Sequence, residues 1–143
     1  MQVLSHGGIT VPCADFNSAL DWYCHLFGLQ FVWVSEANHG GLVIHTARLV
    51  GRGDSVLELT ERVPASPALR SSRPPIGHAT FGTDDVLGVY ERLTKSVQWH
   101  REPQRIETGP MTGVTCVGGF DRWRNLVTLW SGPSRWPGPA PFA

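Results

Sequence analysis

Cysteine is scarce in this chain. Three residues (Cys13, Cys24, Cys116) form no C-x-x-C pair and are too few and too scattered for a disulfide framework or a zinc ribbon. They read as reduced thiols, the pattern of a cytoplasmic protein. Charge of one sign is also lacking: twelve basic residues balance twelve acidic ones, and no basic stripe stands out. Nucleic acid and anionic membrane surfaces are therefore set aside as partners. No apolar run approaches membrane-spanning length, and MQVLSHGG lacks the charged-then-apolar order of a signal peptide. With 41% hydrophobic and 17% charged residues in 143, a single soluble domain with a real core is expected. Tryptophan, by contrast, is abundant. Six in this length suit a mixture of core packing and an aromatic-lined pocket for a flat ligand.

The stretch SHGGITVPCADFNSALDWYCHLFG sets the pattern for the rest. His6, Gly8 and Thr10 alternate with Gly7, Ile9 and Val11, so a short strand carries an imidazole on one side and apolar residues on the other. Asp15 then opens a helix whose Phe16, Leu20, Tyr23 and Phe27 share a face, and Gly28 stops it. LQFVWV, LVIHTARLV and SVLELTE read as three strands, separated by turns at NHGG and GRGD. The segment RVPASPALRSSRPP, with its four prolines, reads as a linker. A second strand–helix unit follows at IGHATFGTDDVLGVYERL, with Asp84 or Asp85 as the cap. A Pro-interrupted β segment near Val97–Thr108 and the strands GVTCVGG and LVTLWS complete the second half.

Both halves therefore read β-α-β-β-β. His6 and His78 are 72 residues apart, and Glu58 and Thr128 are 70 apart, one pair on the opening strands and one on the closing strands. Repetition of this kind predicts a two-fold arrangement of equivalent strands. The expected organisation is one α+β domain of two βαβββ modules around a central pocket: module 1 over about 1–61, a linker over about 62–75, module 2 over about 76–131 and a Pro-rich tail over 132–143.

The chain resembles the vicinal oxygen chelate superfamily, which groups glyoxalase I, methylmalonyl-CoA epimerase, extradiol dioxygenases and the fosfomycin- and bleomycin-resistance proteins. HGGITVPCADFNSALDWYCHLFGL, VLELTE, GHATFGTDD and FDRWRNLVTLW carry the resemblance. It implies metal ligands at His6, Glu58 and His78, with Thr128 standing where the family commonly has a glutamate. Two imidazoles and a carboxylate suit Fe²⁺, the favoured ion, or Mn²⁺, Co²⁺, Ni²⁺ or Zn²⁺, with open positions for two substrate oxygens. The function implied first is an Fe²⁺ dioxygenase acting on an aromatic or polyketide-like small molecule, because the missing glutamate removes one candidate base for proton transfer. A metal-dependent isomerase, epimerase or lyase and a non-catalytic antibiotic-binding protein are the alternatives. Glu58, or His45 from the third strand, would serve as catalytic base, while Glu36 reads as a solvated turn residue. Thr128, Trp130, Trp33 and Trp123 are the expected substrate contacts. Arg122 and Arg124 read as solvated residues of a surface turn in DRWRN, which replaces the family's Asp-Pro-Asp-Gly-Asn-like turn. The resemblance also implies a homodimer.

Overall fold

The computed structural model describes residues 3–51, 56–64 and 77–131, and at positions 3–6, 13, 39, 56 and 64 the backbone alone. The described elements are β1 (Val3–Val11), α1 (Phe16–Phe27), β2 (Gln30–His39), β3 (Leu42–Val50), β4 (Val56–Pro64), β5 (His78–Thr83), α2 (Val86–Arg92), β6 (Gln98–Trp99), β7 (Gln104–Arg105), β8 (Thr115–Phe120) and β9 (Leu126–Ser131). The strands form one open, curved, mixed sheet in the order β2-β3-β4-β1-β5-β9-β8-β6, with β7 also paired to β8. The α+β fold read from the repeat is therefore the fold observed. β4 runs on to Pro64, three residues into the segment expected to be linker; residues 65–76, the GRGD turn and the Pro-rich tail lie outside the described residues.

The repeat is visible in the pairing. β1 pairs β4 in parallel, β5 pairs β9 in parallel, and the halves join through the antiparallel pair β1–β5. The seam is close at Gly7. Its φ is +119°, and a Cβ built there would lie 2.1 Å from the His78 carbonyl oxygen, so only glycine fits. The β2–β3 hairpin closes on Gly40 and Gly41, both with positive φ, as the two-residue NHGG turn requires. The interrupted segment becomes β6 and β7, two-residue strands on either side of Pro103, which has no backbone N–H to pair.

One face of the sheet is apolar and covered by the helices. Ile9, Val11, Ala47, Leu49, Leu57, Leu59, Ala79, Phe81, Val127 and Leu129, all odd-numbered, are buried there. α1 adds Tyr23 and Phe27; the Phe27 ring stacks on Phe81 with centroids 3.8 Å apart, tying the first helix to the second module's opening strand. Among the described residues the opposite face is helix-free. Strand alternation sends Gly8, Thr10, Thr46, Arg48, Glu58, Thr60, His78, Thr80, Thr128 and Trp130 to it.

A buried polar staple holds the end of the seam. Asn125 Oδ1 accepts from the backbone N–H groups of Thr10 (3.1 Å) and Gly77 (3.0 Å), and Nδ2 donates to the Thr10 carbonyl (3.0 Å) and Asp121 Oδ2 (2.9 Å). Asp121 also accepts from the Tyr23 hydroxyl (2.6 Å) and from the backbone N–H groups of Trp123 and Asn125. One carboxylate and one amide thus connect β1, α1, the start of β5 and the β8–β9 turn.

Candidate functional site

Register brings the sequence candidates to one place. Glu58, Gly8 and His78 are partners across β4, β1 and β5, and two residues along the strands Val56, His6, Thr80 and Thr128 are partners. A two-fold through the Gly7–Ala79 pair exchanges His6 with His78 and, one strand further out, Glu58 with Thr128. Positions 58 and 78 are separated by two inter-strand steps of roughly 4.8 Å each. Only the backbone of His6 is described, so the geometry of the site rests on the other groups.

Glu58 is not free. Its Oε1 accepts from Arg48 Nη2 at 3.1 Å, and the Arg48 guanidinium carbon lies 5.0 Å from the centre of the Trp33 ring. Trp33 reaches this face because of a bulge in β2: Phe31 pairs Leu49 on the helix side, the register then slips, and Trp33 pairs Arg48. His78 Nε2 lies 2.9 Å from Thr128 Oγ1 and 3.3 Å from Thr80 Oγ1, both hydroxyls being buried. Burial pushes the His78 pKa below its ordinary value, so the imidazole is neutral and a hydrogen-bonding group at neutral pH.

Two of the three expected ligands already have protein partners. Glu58 is engaged by a cation and His78 by the hydroxyl that replaces the pseudo-symmetric carboxylate, and no three His, Cys, Asp or Glu side chains among the described residues form a metal-competent group. What the arrangement presents is an ion pair beside an indole, next to a neutral imidazole among hydroxyls.

His45, expected as a base from the third strand, lies on the other face of the sheet from Glu58. It pairs Glu61 and Glu36 in register and shares strand parity with Ala47 and Leu49, so it sits on the helix side beside Phe16, with ring centroids 6.3 Å apart. Trp123 likewise turns to the helices, meeting Trp22 edge-on at 5.7 Å and packing on the core. Trp130 stays on the helix-free face but is 8% exposed, lying so close over Gly82 that a Cβ there would meet its ring at 2.5 Å. Thr128 is 8% exposed and bonded to His78. Cys116 is half-buried, and burial pushes its thiol pKa up. Sequence reasoning missed Arg48. Its parity with Thr46 and Val50 was available as a signal, but its pairing with Glu58 depends on a register that no motif announces.

The model of the Glyoxalase/Bleomycin resistance protein/Dioxygenase superfamily matches residues 6–129, from the first histidine to Leu129 within β9. The chain belongs to this superfamily. No curated protein matches it in sequence. Solved structures share the fold at low identity. A member of the Glyoxalase/bleomycin resistance protein/dioxygenase superfamily from Sphaerobacter thermophilus DSM 20745 is 19% identical, with TM-score 0.57, covering 87% of this chain and 94% of that one. TnmS3, an antibiotic binding protein from Streptomyces sp. CB03234, is 21% identical with TM-score 0.56 over 88% and 93%. An E144Q mutant of glyoxalase I from Zea mays is 16% identical with TM-score 0.53, over 87% of this chain and 45% of that one. The superfamily thus includes both enzymes and binding proteins.

Proposed function

We propose that this superfamily member is a small-molecule-binding protein that holds a planar, aromatic ligand on the helix-free face of its sheet. Trp33 offers a stacking surface, and Arg48, His78 and Thr128 offer hydrogen bonds. The observation that carries this reading is the state of Glu58, held at 3.1 Å by an arginine that itself lies against Trp33. A carboxylate held in this way is a weak candidate for ligand or base, whereas the guanidinium–indole pair is a ready surface for a flat, oxygen-bearing molecule. The antibiotic binding named for TnmS3 is a precedent on this fold. Tryptophan-fluorescence titration with planar quinone-type chromophores tests the reading. Trp33→Ala should weaken binding about tenfold, in line with an aromatic contact, while Trp123→Ala should alter stability and leave affinity unchanged. Stoichiometric metal in the purified protein, lost in His78→Ala and Glu58→Ala, would overturn it.

A second reading keeps the metal. The register that relates His6 to His78 about the Gly7–Ala79 pair favours it, and His6, Glu58 and His78 would be the ligands of a dioxygenase or of an isomerase or lyase. It requires Glu58 to leave Arg48. In either reading a homodimer is proposed through the edge strand β2, where Phe31, Val32 and Val34 are about half exposed. Sedimentation of the wild type against Val32→Lys tests that contact.

A further inference from the structure

On the helix side of the sheet, away from the proposed ligand face, one rung sets Glu36, His45 and Glu61 side by side on β2, β3 and β4. His45 Nδ1 lies 2.7 Å from Glu61 Oε1, and Nε2 lies 3.5 Å from Glu36 Oε2. Glu61 is 6% exposed, and its second oxygen is buried with no hydrogen-bond partner among the described residues, so the contact with His45 is the one the carboxylate shows there. Among the described residues the charged groups that act on the imidazole are these two carboxylates, and the Phe16 ring of α1 lies beside it with centroids 6.3 Å apart.

We propose that this rung is a proton-gated clamp fastening the edge strand β2 to the sheet. The reason lies in the donor count of imidazole. The protonated ring donates from both nitrogens and can serve Glu61 and Glu36 together, whereas the neutral ring has one N–H. Buried Glu61, at the shorter distance, keeps that one donor. The bare Nε2 lone pair then faces the Glu36 carboxylate, and the tie between β3 and β2 becomes a repulsion between acceptors. The hydrogen bond to Glu61, and the field of both acids, raise the His45 pKa, so the change falls at higher pH than it would for a free imidazole. Within one chain β2 is the outermost strand among the described residues and carries Trp33 to the other face, so what loosens it also loosens the wall beside Arg48. The clamp is independent of whatever that face binds.

Amide hydrogen exchange of the full chain from pH 5 to 9, corrected for intrinsic rates and referenced to β5, tests the clamp. Protection of the β2 amides should fall about two- to fivefold as His45 loses its proton, the range of a part-exposed ion pair. Glu36→Gln, an exposed change that leaves the fold intact, should abolish that step, and in it the His45 ring should titrate at lower pH by NMR. A wild type with no step, or a step that survives in Glu36→Gln, would overturn the proposal.

Discussion

Asn125→Ala is the substitution with the most to lose for its size. The side chain is 1% exposed and makes four hydrogen bonds, three of them to the main-chain groups Thr10 N–H, Thr10 C=O and Gly77 N–H. Alanine removes every partner at once. A buried polar group left unsatisfied costs about 1–3 kcal/mol, and a water admitted to the vacated space recovers part of this. The expected net loss is about 3–4 kcal/mol, a large share of a total stability of about 5–15 kcal/mol. Urea unfolding followed by tryptophan fluorescence should show the midpoint fall by about 1.5–2 M for an m-value near 2 kcal/mol/M. Asn125→Asp is the companion measurement. It keeps the Oδ1 acceptor but places a second carboxylate 2.9 Å from Asp121 Oδ2, so its destabilisation should be greatest at neutral pH and relax in acid. A loss below about 1 kcal/mol in the alanine variant, with m unchanged, would refute the view that this amide staples the two modules.

Arg124 holds φ +67° in the DRWRN turn, so Arg124→Gly should raise stability by about 0.5–1 kcal/mol in the same urea assay. Gly7→Ala should abolish soluble expression or cost about 3 kcal/mol or more, because a Cβ there collides with the His78 carbonyl in a backbone conformation alanine avoids. Arg48→Ala frees the Glu58 carboxylate. If the chain binds metal, Ni²⁺ or Fe²⁺ affinity should rise in isothermal titration; if it is a metal-free binder, affinity for the planar ligand should fall. His45 has a raised pKa in the folded protein. Its stabilising contribution is therefore full below its ordinary value of 6.5 and is lost as pH rises through the raised value, and His45→Gln should flatten thermal stability across that window.

Much of the fold was legible because its signals are local. The spacing of Phe16, Leu20, Tyr23 and Phe27 and the stop at Gly28, whose φ is +65°, define α1 from end to end. Alternation in VLELT sorted Leu57 and Leu59 into the core and Glu58 to the other face, as the burial pattern has it. Site chemistry was less legible, because it depends on which strand lies beside which. The same alternation rule places His45 with Ala47 and Leu49, and so on the helix side, away from Glu58 and His78. Trp33 was beyond any parity argument, since an unannounced bulge reverses its face. Asp121 and Asn125 looked like turn residues, and they are; their reach to Thr10, Gly77 and Tyr23 is a tertiary fact that a linear reading does not carry.

The two halves are not equivalent about the Gly7–Ala79 axis. On one flank an acid is locked to a guanidinium, and on the other a hydroxyl is locked to an uncharged ring. A guest lying across that divide therefore meets a different chemistry at each end, and turning it round is not an equivalent fit. An exactly two-fold surface would accept either orientation, whereas these two flanks would give the proposed ligand a head and a tail.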